Sequence, residues 1–187
     1  MSFHVLTVDQ TAAVDTGSYL AHGVPADARG LLGAWTTKFG PLNQAIYLQE
    51  AENALDSDGP SLNGLALQSR EKTFLRKVNP FAPRDGAKLY ELRSYQLHTD
   101  QEETFLERML GALPVRTRYT PNCGIWAALS GRSDRVFHLW GYSGVDERDS
   151  VRAKLDQDAA WQAYIPTILP LLQSMTSIIL TPRPLKG

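Results

Sequence analysis

Hydrophobic and polar residues alternate over 88–97, KLYELRSYQL, and this alternation predicts a β-strand. After it, Thr99 and Asp100 followed by Glu102 and Glu103 are typical of a helix that begins with a capping box. Apolar residues then recur at helical spacing, as in an amphipathic helix. The later patterns predict two strands, two helical segments and a last strand, at 124–129, 135–142, 146–156, 159–172 and 174–180. This order, β-α-β-β-α-β, is the ferredoxin-like plan.

The first half of the chain shows the same order less clearly. A helix is predicted over 9–22, and the helical content of 52–68 is doubtful because Gly59-Pro60 and Gly64 interrupt it. A run rich in proline and glycine over 80–86 indicates a linker. Strands are predicted at 3–8, 31–37, 44–50 and 73–78. We therefore predict a degenerate N-terminal repeat over 1–80, a linker over 81–87 and a C-terminal repeat over 88–187.

One segment of the sequence occurs twice. Residues 32–48 align without a gap on residues 123–139, a shift of 91 positions. A period this long indicates a duplicated domain rather than a solenoid. The identical pairs are Gly33/Gly124, Trp35/Trp126, Gly40/Gly131 and Leu48/Leu139. We predict an α+β protein of two fused ferredoxin-like repeats that pack sheet to sheet, because each sheet would otherwise leave one face bare.

Composition limits the choice of partners and compartments. The net charge of −1 gives no electrostatic attraction to nucleic acid, and no apolar run is long enough for a transmembrane helix. The first residues lack a basic segment followed by an apolar one, so secretion is not expected. Cys123 has no second cysteine to pair with. We expect a cytoplasmic protein that binds neither nucleic acid nor membranes.

Five runs in the second half resemble the NIPSNAP family. They are YELRSYQL at 90–97, GIW at 124–126, HLWGY at 138–142, DERDSVRAKL at 146–155 and the Asp158-x-x-Trp161-x-x-Tyr164 pattern. The resemblance implies a dimeric α/β barrel of ferredoxin-like units, here formed within one chain. It implies little about a reaction, since members include mitochondrial adaptor-like proteins and bacterial proteins of unknown activity. Related barrels include cofactor-free monooxygenases, polyketide cyclases and haem-degrading enzymes, a likeness of fold only.

Strand alternation selects the candidate site residues. The more apolar alternates suit the helix-covered core: Leu92, Ile125, Leu129, Phe137 and Leu139. The opposite set would then face the barrel interior: Glu91, Arg93, Tyr95, Trp126, His138, Trp140 and Tyr142. In the first half, Tyr47 aligns with His138, Arg93 matches roughly Leu6, and His4 matches Glu91 through a gap.

Three of these residues are candidates for catalysis. His138 is a candidate general base, because an imidazole titrates near neutral pH. Arg93 is expected to bind a carboxylate, phenolate or enolate, and Glu91 to orient His138 or neutralise Arg93. The predicted substrate-binding residues are Tyr95, Trp126, Trp140, Tyr142, His4 and Tyr47. The structural alternatives are an ion pair for Glu91 and Arg93, a core histidine, and tryptophans that only pack.

Motifs for metal and nucleotide chemistry are missing from the sequence. No histidines stand four residues apart, and no CxxC, glycine-rich phosphate loop or GxSxG occurs, so we expect neither a metal nor a cofactor. We predict that the cavity binds, and in the enzymatic alternative transforms, a small partly aromatic or polyketide-like molecule. A cofactor-independent cyclase, isomerase or monooxygenase-like enzyme would fit. The other alternative is a non-catalytic adaptor that uses its outer helices, and either form is compatible with a homodimer.

Overall fold

The computed structural model of this chain describes residues 2–12, 30–52 and 67–185. The chain divides into unit 1, with residues 1–77, 129–131 and 178–187, and unit 2, with residues 78–128 and 132–177. The described ranges contain eight strands and three α-helices: β1 Phe3–Thr11, β2 Leu31–Phe39, β3 Gln44–Ala51, β4 Leu67–Asn79, β5 Leu89–Leu97, α1 Glu102–Thr117, β6 Asn122–Ala128, β7 Arg135–Tyr142, α2 Val145–Leu155, α3 Ala159–Ile168 and β8 Leu172–Pro182.

Unit 1 is an antiparallel sheet in the order β4–β1–β3–β2, which the end of β8 extends beside β2. Its strands bury apolar residues such as Val5, Ile46 and Leu75. Asp9 is also fully buried, and its carboxylate accepts two hydrogen bonds of 2.7 Å from Arg70 on the neighbouring strand. A buried carboxylate needs a charged or hydrogen-bonding partner, so this ion pair stabilises the pairing of β1 with β4.

Unit 2 has antiparallel strands β5, β7 and β6 in that order, with the first part of β8 beside β5. The register places Arg93 on β5 and Ile125 on β6 on either side of His138 on β7. The helices cover one face of this sheet, because their apolar stripes pack on it. This core includes Tyr95, Leu97, Ile125 and Val136 from the sheet, Phe105, Leu106 and Met109 from α1, and Ile168 from α3.

The predicted α+β class with ferredoxin-like units is confirmed, and each strand predicted in the second half forms. Asp158 caps α3, accepting hydrogen bonds from the Ala160 and Trp161 backbone at 2.9 and 3.1 Å. None of the described helices has the length and apolar character needed to cross a membrane.

Two local predictions need correction. The capping box is wrong, since Gln101 occupies the N-cap of α1 and no side chain caps that helix. The first part of the helix predicted over 9–22 is instead strand, because β1 continues to Thr11. The rest of that helix, and most of the doubtful helix over 52–68, lies outside the described residues. Residues 80–88 join β4 to β5, the stretch where a linker over 81–87 was predicted.

Candidate functional site

A cavity of about 250 Å³ lies in unit 2, with a wall formed by the sheet and a wall formed by the helices. Four of the predicted site residues line it: Arg93, Tyr95, His138 and Trp140. The helices and the residue after α2 add the charged Arg116, Arg152 and Asp156, the polar Gln162, the aromatic Trp161 and Tyr164, and the apolar Met109, Leu113, Ile165 and Ile168. The cavity therefore combines aromatic and apolar surface with a small set of charged groups.

The sheet brings these side chains together through strand alternation and register. Arg93 and His138 are direct cross-strand partners, so their side chains lie on one face. That face is the helix-covered one, and the predicted orientation toward the opposite face is therefore wrong. The prediction relied on apolar alternates facing the helices, but both faces are buried: Leu92 and Phe137 on one face are 5% and 3% exposed, and His138 on the other is 4% exposed.

His138 is fixed by its neighbour two residues along β7. Its Nδ1 accepts a hydrogen bond of 2.5 Å from Trp140 Nε1, and its Nε2 has no hydrogen-bond partner. Burial, followed by the charges of Arg93, Arg116 and Arg152, holds the pKa of His138 well below its usual value, so the ring is neutral near pH 7. An indole nitrogen can only donate, so the single proton of the neutral ring sits on Nε2. His138 thus presents a donor to the cavity, and not the general base that the sequence analysis expected.

Arg116, in the last turn of α1, is 3% exposed and contacts two aromatic residues of β7. Its guanidinium carbon lies 4.2 Å from the centre of the Trp140 ring, and Nη2 donates to the Tyr142 hydroxyl at 2.8 Å. Nη1 has no hydrogen-bond partner. Arg116 was not among the predicted site residues. The sequence carries one indication that Arg116 is buried: it follows Leu113 by three residues, which places it on the apolar stripe of α1.

Glu91 forms an ion pair with Arg93, as the structural alternative predicted, but Arg148 and Ser177 lie closer to it. Its carboxylate accepts hydrogen bonds from Arg148 Nε at 3.0 Å and from Ser177 Oγ at 2.6 Å, whereas Arg93 Nε is 3.9 Å away. Burial raises the pKa of Glu91, but these hydrogen bonds and the charge of Arg93 outweigh it and keep the pKa below its usual value. Glu91 is therefore ionised and binds α2 to the sheet through Arg148. Arg93 lines the cavity.

Positive charge dominates the cavity lining. Arg93, Arg116 and Arg152 contribute three guanidinium groups, and Asp156 contributes one carboxylate. Burial raises the pKa values of Tyr95 and Tyr164, so both phenols stay neutral near pH 7. An anionic group would therefore be attracted into this space.

Two predicted substrate-binding residues of unit 2 lie elsewhere. Trp126 pairs with Phe137, one position away from His138, so it lies on the opposite face of the sheet. Its ring covers Gly124, where a Cβ atom would come within 2.3 Å of Trp126 Cη2. Tyr142 is fully buried and does not line the cavity, but its hydroxyl accepts the hydrogen bond from Arg116.

The two candidates from the first half, His4 and Tyr47, belong to unit 1 and do not line this cavity. Thr7 lies opposite Tyr47 in unit 1 as Arg93 lies opposite His138 in unit 2. Thr7 rather than Leu6 therefore corresponds to Arg93, and by the same register Val5 rather than His4 corresponds to Glu91. Burial, with a smaller effect of Lys77, lowers the pKa of His4 to about 4.

A family model described as NIPSNAP matches residues 90–185, just over half of the chain. The chain belongs to the NIPSNAP family. The match begins in β5 and includes every residue that lines the cavity, from Arg93 to Met175. The candidate site therefore lies wholly within the NIPSNAP part of the sequence.

Curated relatives extend the NIPSNAP similarity toward the first half. NipSnap homolog 2 of Danio rerio is 29% identical over 170 residues, covering 81% of this chain and 59% of that protein. NipSnap homolog 3B of Mus musculus is 35% identical over 109 residues, covering 52% of this chain and 44% of that protein. The chain thus spans less than two thirds of the length of these NIPSNAP relatives.

Solved structures match the chain at two lengths. An uncharacterized NIPSNAP domain protein from Burkholderia xenovorans matches 53% of this chain and 98% of its own, with a TM-score of 0.51 and 30% identity. A protein described as anthrone oxidase-like matches 97% of this chain and 91% of its own, with a TM-score of 0.72 and 10% identity. The second likeness shows a fold shared by nearly the whole chain, and at this identity it shows the fold alone.

Proposed function

We propose that unit 2 binds a small, partly aromatic organic molecule in the cavity between its sheet and its helices. The observation that carries this proposal is the cavity of about 250 Å³, lined by four aromatic rings and a few buried polar groups. Ligand sites typically combine a mostly apolar wall with a small number of polar groups that fix orientation. The rings are those of Tyr95, Trp140, Trp161 and Tyr164.

The open cavity favours this function over the adaptor alternative. An interaction protein that uses only its outer helices has no need for an internal space that touches Arg93 and His138, and apolar side chains would fill it better. One solved protein of the same fold is described as anthrone oxidase-like, which agrees with a small-molecule role.

Transformation of the molecule without a cofactor is the second part of the proposal. The groups available for it are donors and cations, since His138 presents its Nε2 proton and Arg93 and Arg116 present guanidinium groups. Such groups stabilise negative charge that develops on a bound molecule. We place no general base among them.

The test compares two tryptophan substitutions on α3. Ile165 is half-buried and lines the cavity, whereas Ala163 is exposed and does not. Native mass spectrometry of the full chain shows co-purified ligands, and fluorescence titration measures the binding of aromatic compounds. We expect Ile165→Trp to lose both the co-purified ligand and the binding, and Ala163→Trp to keep them. Equal binding by both variants would show that ligands do not occupy this cavity. The same spectra report whether the chain is a homodimer.

A further inference from the structure

Three buried donors lack partners in the unit 2 cavity. They are Arg93 Nε, Arg116 Nη1 and His138 Nε2, and they are the buried side-chain nitrogens without a hydrogen-bond partner in the ranges that the structure describes. All three side chains line the cavity. Buried polar groups in folded proteins are nearly always hydrogen-bonded, so three exceptions around one space indicate that something else accepts their hydrogen bonds.

The three donors are close together through the contacts of β7. His138 lies between Arg93, its cross-strand partner on β5, and Trp140, whose indole donates to its ring. The Arg116 guanidinium stacks over that same Trp140 ring. Two cations and a neutral N–H donor therefore surround one part of the cavity.

The carboxylates near this group neutralise it only in part. Glu91 forms an ion pair with Arg93 at 3.9 Å, too long for a hydrogen bond, and it accepts its hydrogen bonds from Arg148 and Ser177. Arg116 is held by a hydroxyl, that of Tyr142, rather than by a carboxylate. Asp156 is the acidic side chain among the described lining residues, which also include Arg152. The site thus keeps an excess of positive charge in a buried place, where electrostatic attraction is stronger than in water.

We infer that this cavity is an oxyanion site: it takes a planar aromatic ligand whose phenolate, enolate or carboxylate oxygen accepts hydrogen bonds from Arg93, Arg116 and His138. The inference rests on the proposed function and names its ligand class. For a bound phenol or enol, the O–H bond breaks heterolytically, the electron pair stays on oxygen and the proton passes to water. The site lowers the pKa of such a ligand because its donors bind the anion better than the neutral form.

The experiment uses two planar probes that differ at one oxygen. 7-Hydroxycoumarin ionises near neutral pH with a change in its excitation spectrum, and 7-methoxycoumarin cannot ionise. Both are titrated with the full chain over a range of pH. We expect the bound phenol to have a pKa lower by about one unit, which means that the phenolate binds about tenfold more tightly than the phenol. We also expect the phenolate to bind at least about tenfold more tightly than the methoxy compound.

Matched variants assign this effect to the cavity. Arg93→Gln removes a charge and a donor at the site, whereas Arg132→Gln removes a charge from an exposed turn. We expect the pKa of the bound probe to return toward its free value in Arg93→Gln and to stay lowered in Arg132→Gln. Arg93→Lys, which keeps the charge, should retain part of the shift and controls for any loss of folding.

The outcomes separate the ligand class from the function. If both coumarins bind with equal affinity and Ile165→Trp blocks both, the cavity binds small molecules and the oxyanion site is wrong. If the probe pKa shifts equally in Arg93→Gln and the wild-type chain, the oxyanion site is also wrong. If neither coumarin binds the wild-type chain, the proposed function fails and the oxyanion site fails with it.

Discussion

The β2–β3 hairpin of unit 1 and the β6–β7 hairpin of unit 2 have the same construction. In both, the register skips one residue just before a glycine, and the glycine lies beneath a tryptophan two positions later. A Cβ atom on either glycine would lie 2.2 or 2.3 Å from the Cη2 atom of that tryptophan. The equivalent pairs are Gly33–Leu48 and Trp35–Ile46 in unit 1, and Gly124–Leu139 and Trp126–Phe137 in unit 2.

The hairpins differ on the face away from these tryptophans. Unit 2 has His138 opposite Arg93, and unit 1 has Tyr47 opposite Thr7 at the equivalent places. The cavity, its unpartnered donors and its arginines belong to unit 2. The comparison teaches that the shared residues, glycine and tryptophan, build the hairpin, whereas the residues that differ determine the chemistry. Duplication as the origin of the two hairpins stays a prediction.

The largest expected effect on stability comes from the glycines that the two hairpins share. Gly124 has a φ of +148°, a region that side chains rarely adopt, so Gly124→Ala adds backbone strain to the clash with Trp126. We expect it to lower the free energy of unfolding by about 4 kcal/mol, measured by urea denaturation. Gly33→Ala meets only the clash with Trp35 and should lower it by about 2 kcal/mol. Wild-type urea midpoints for both variants would show that the glycines are not needed for this packing.

The second prediction compares the stability lost when either of two ion-paired glutamates is replaced. Glu91 in unit 2 is buried, whereas Glu50 in unit 1 is exposed and pairs with Lys77 at 3.0 Å. We expect Glu91→Gln to lower the free energy of unfolding near pH 7 by about 2 kcal/mol, because charge-assisted hydrogen bonds from Arg148 are lost. Glu50→Gln should have no measurable effect.

The pH dependence of the Glu91 contribution has a defined sign. The folded-state pKa of Glu91 is depressed, so its contribution is fully present above the unfolded-state value of about 4.3 and is lost as pH falls through the folded-state value. Acid denaturation of Glu91→Gln should therefore show a weaker dependence on pH in this range. A variant with an unchanged acid profile would contradict the assignment.

The third prediction concerns the proton on His138. We expect ¹⁵N chemical shifts of the ring near neutral pH to show a neutral imidazole with its proton on Nε2, because Trp140 donates to Nδ1 and burial lowers the pKa of the ring. Trp140→Phe removes that donor and should allow the other tautomer. A ring in the wild-type chain that carries its proton on Nδ1 would restore the general-base role and remove one donor from the oxyanion site.

The sequence predicted the strands of unit 2 well, because the period-2 alternation in β5 and β7 is a local signal. It did not predict which face the helices cover, because both faces of these strands are buried and both sets of alternates are largely apolar. Trp126 does lie on the face away from the helices, as predicted, but it pairs with Phe137 and therefore does not share a face with His138. Arg116 was missed because burial of an arginine depends on neighbours from another element.

The fourth prediction is the smallest in free energy. His138→Phe removes the Nε2 donor of unit 2, and Tyr47→Phe removes the hydroxyl at the equivalent position of unit 1. Both substitutions keep an aromatic ring in a buried place. Comparing the two variants therefore tests whether the oxyanion site belongs to unit 2 alone.

The affinity of these two variants for ionised 7-hydroxycoumarin is the most direct measurement. We predict that His138→Phe binds the phenolate about tenfold more weakly than the wild-type chain and that Tyr47→Phe binds it equally well. Equal weakening in both variants, or unchanged affinity in His138→Phe, would contradict an oxyanion site built on His138.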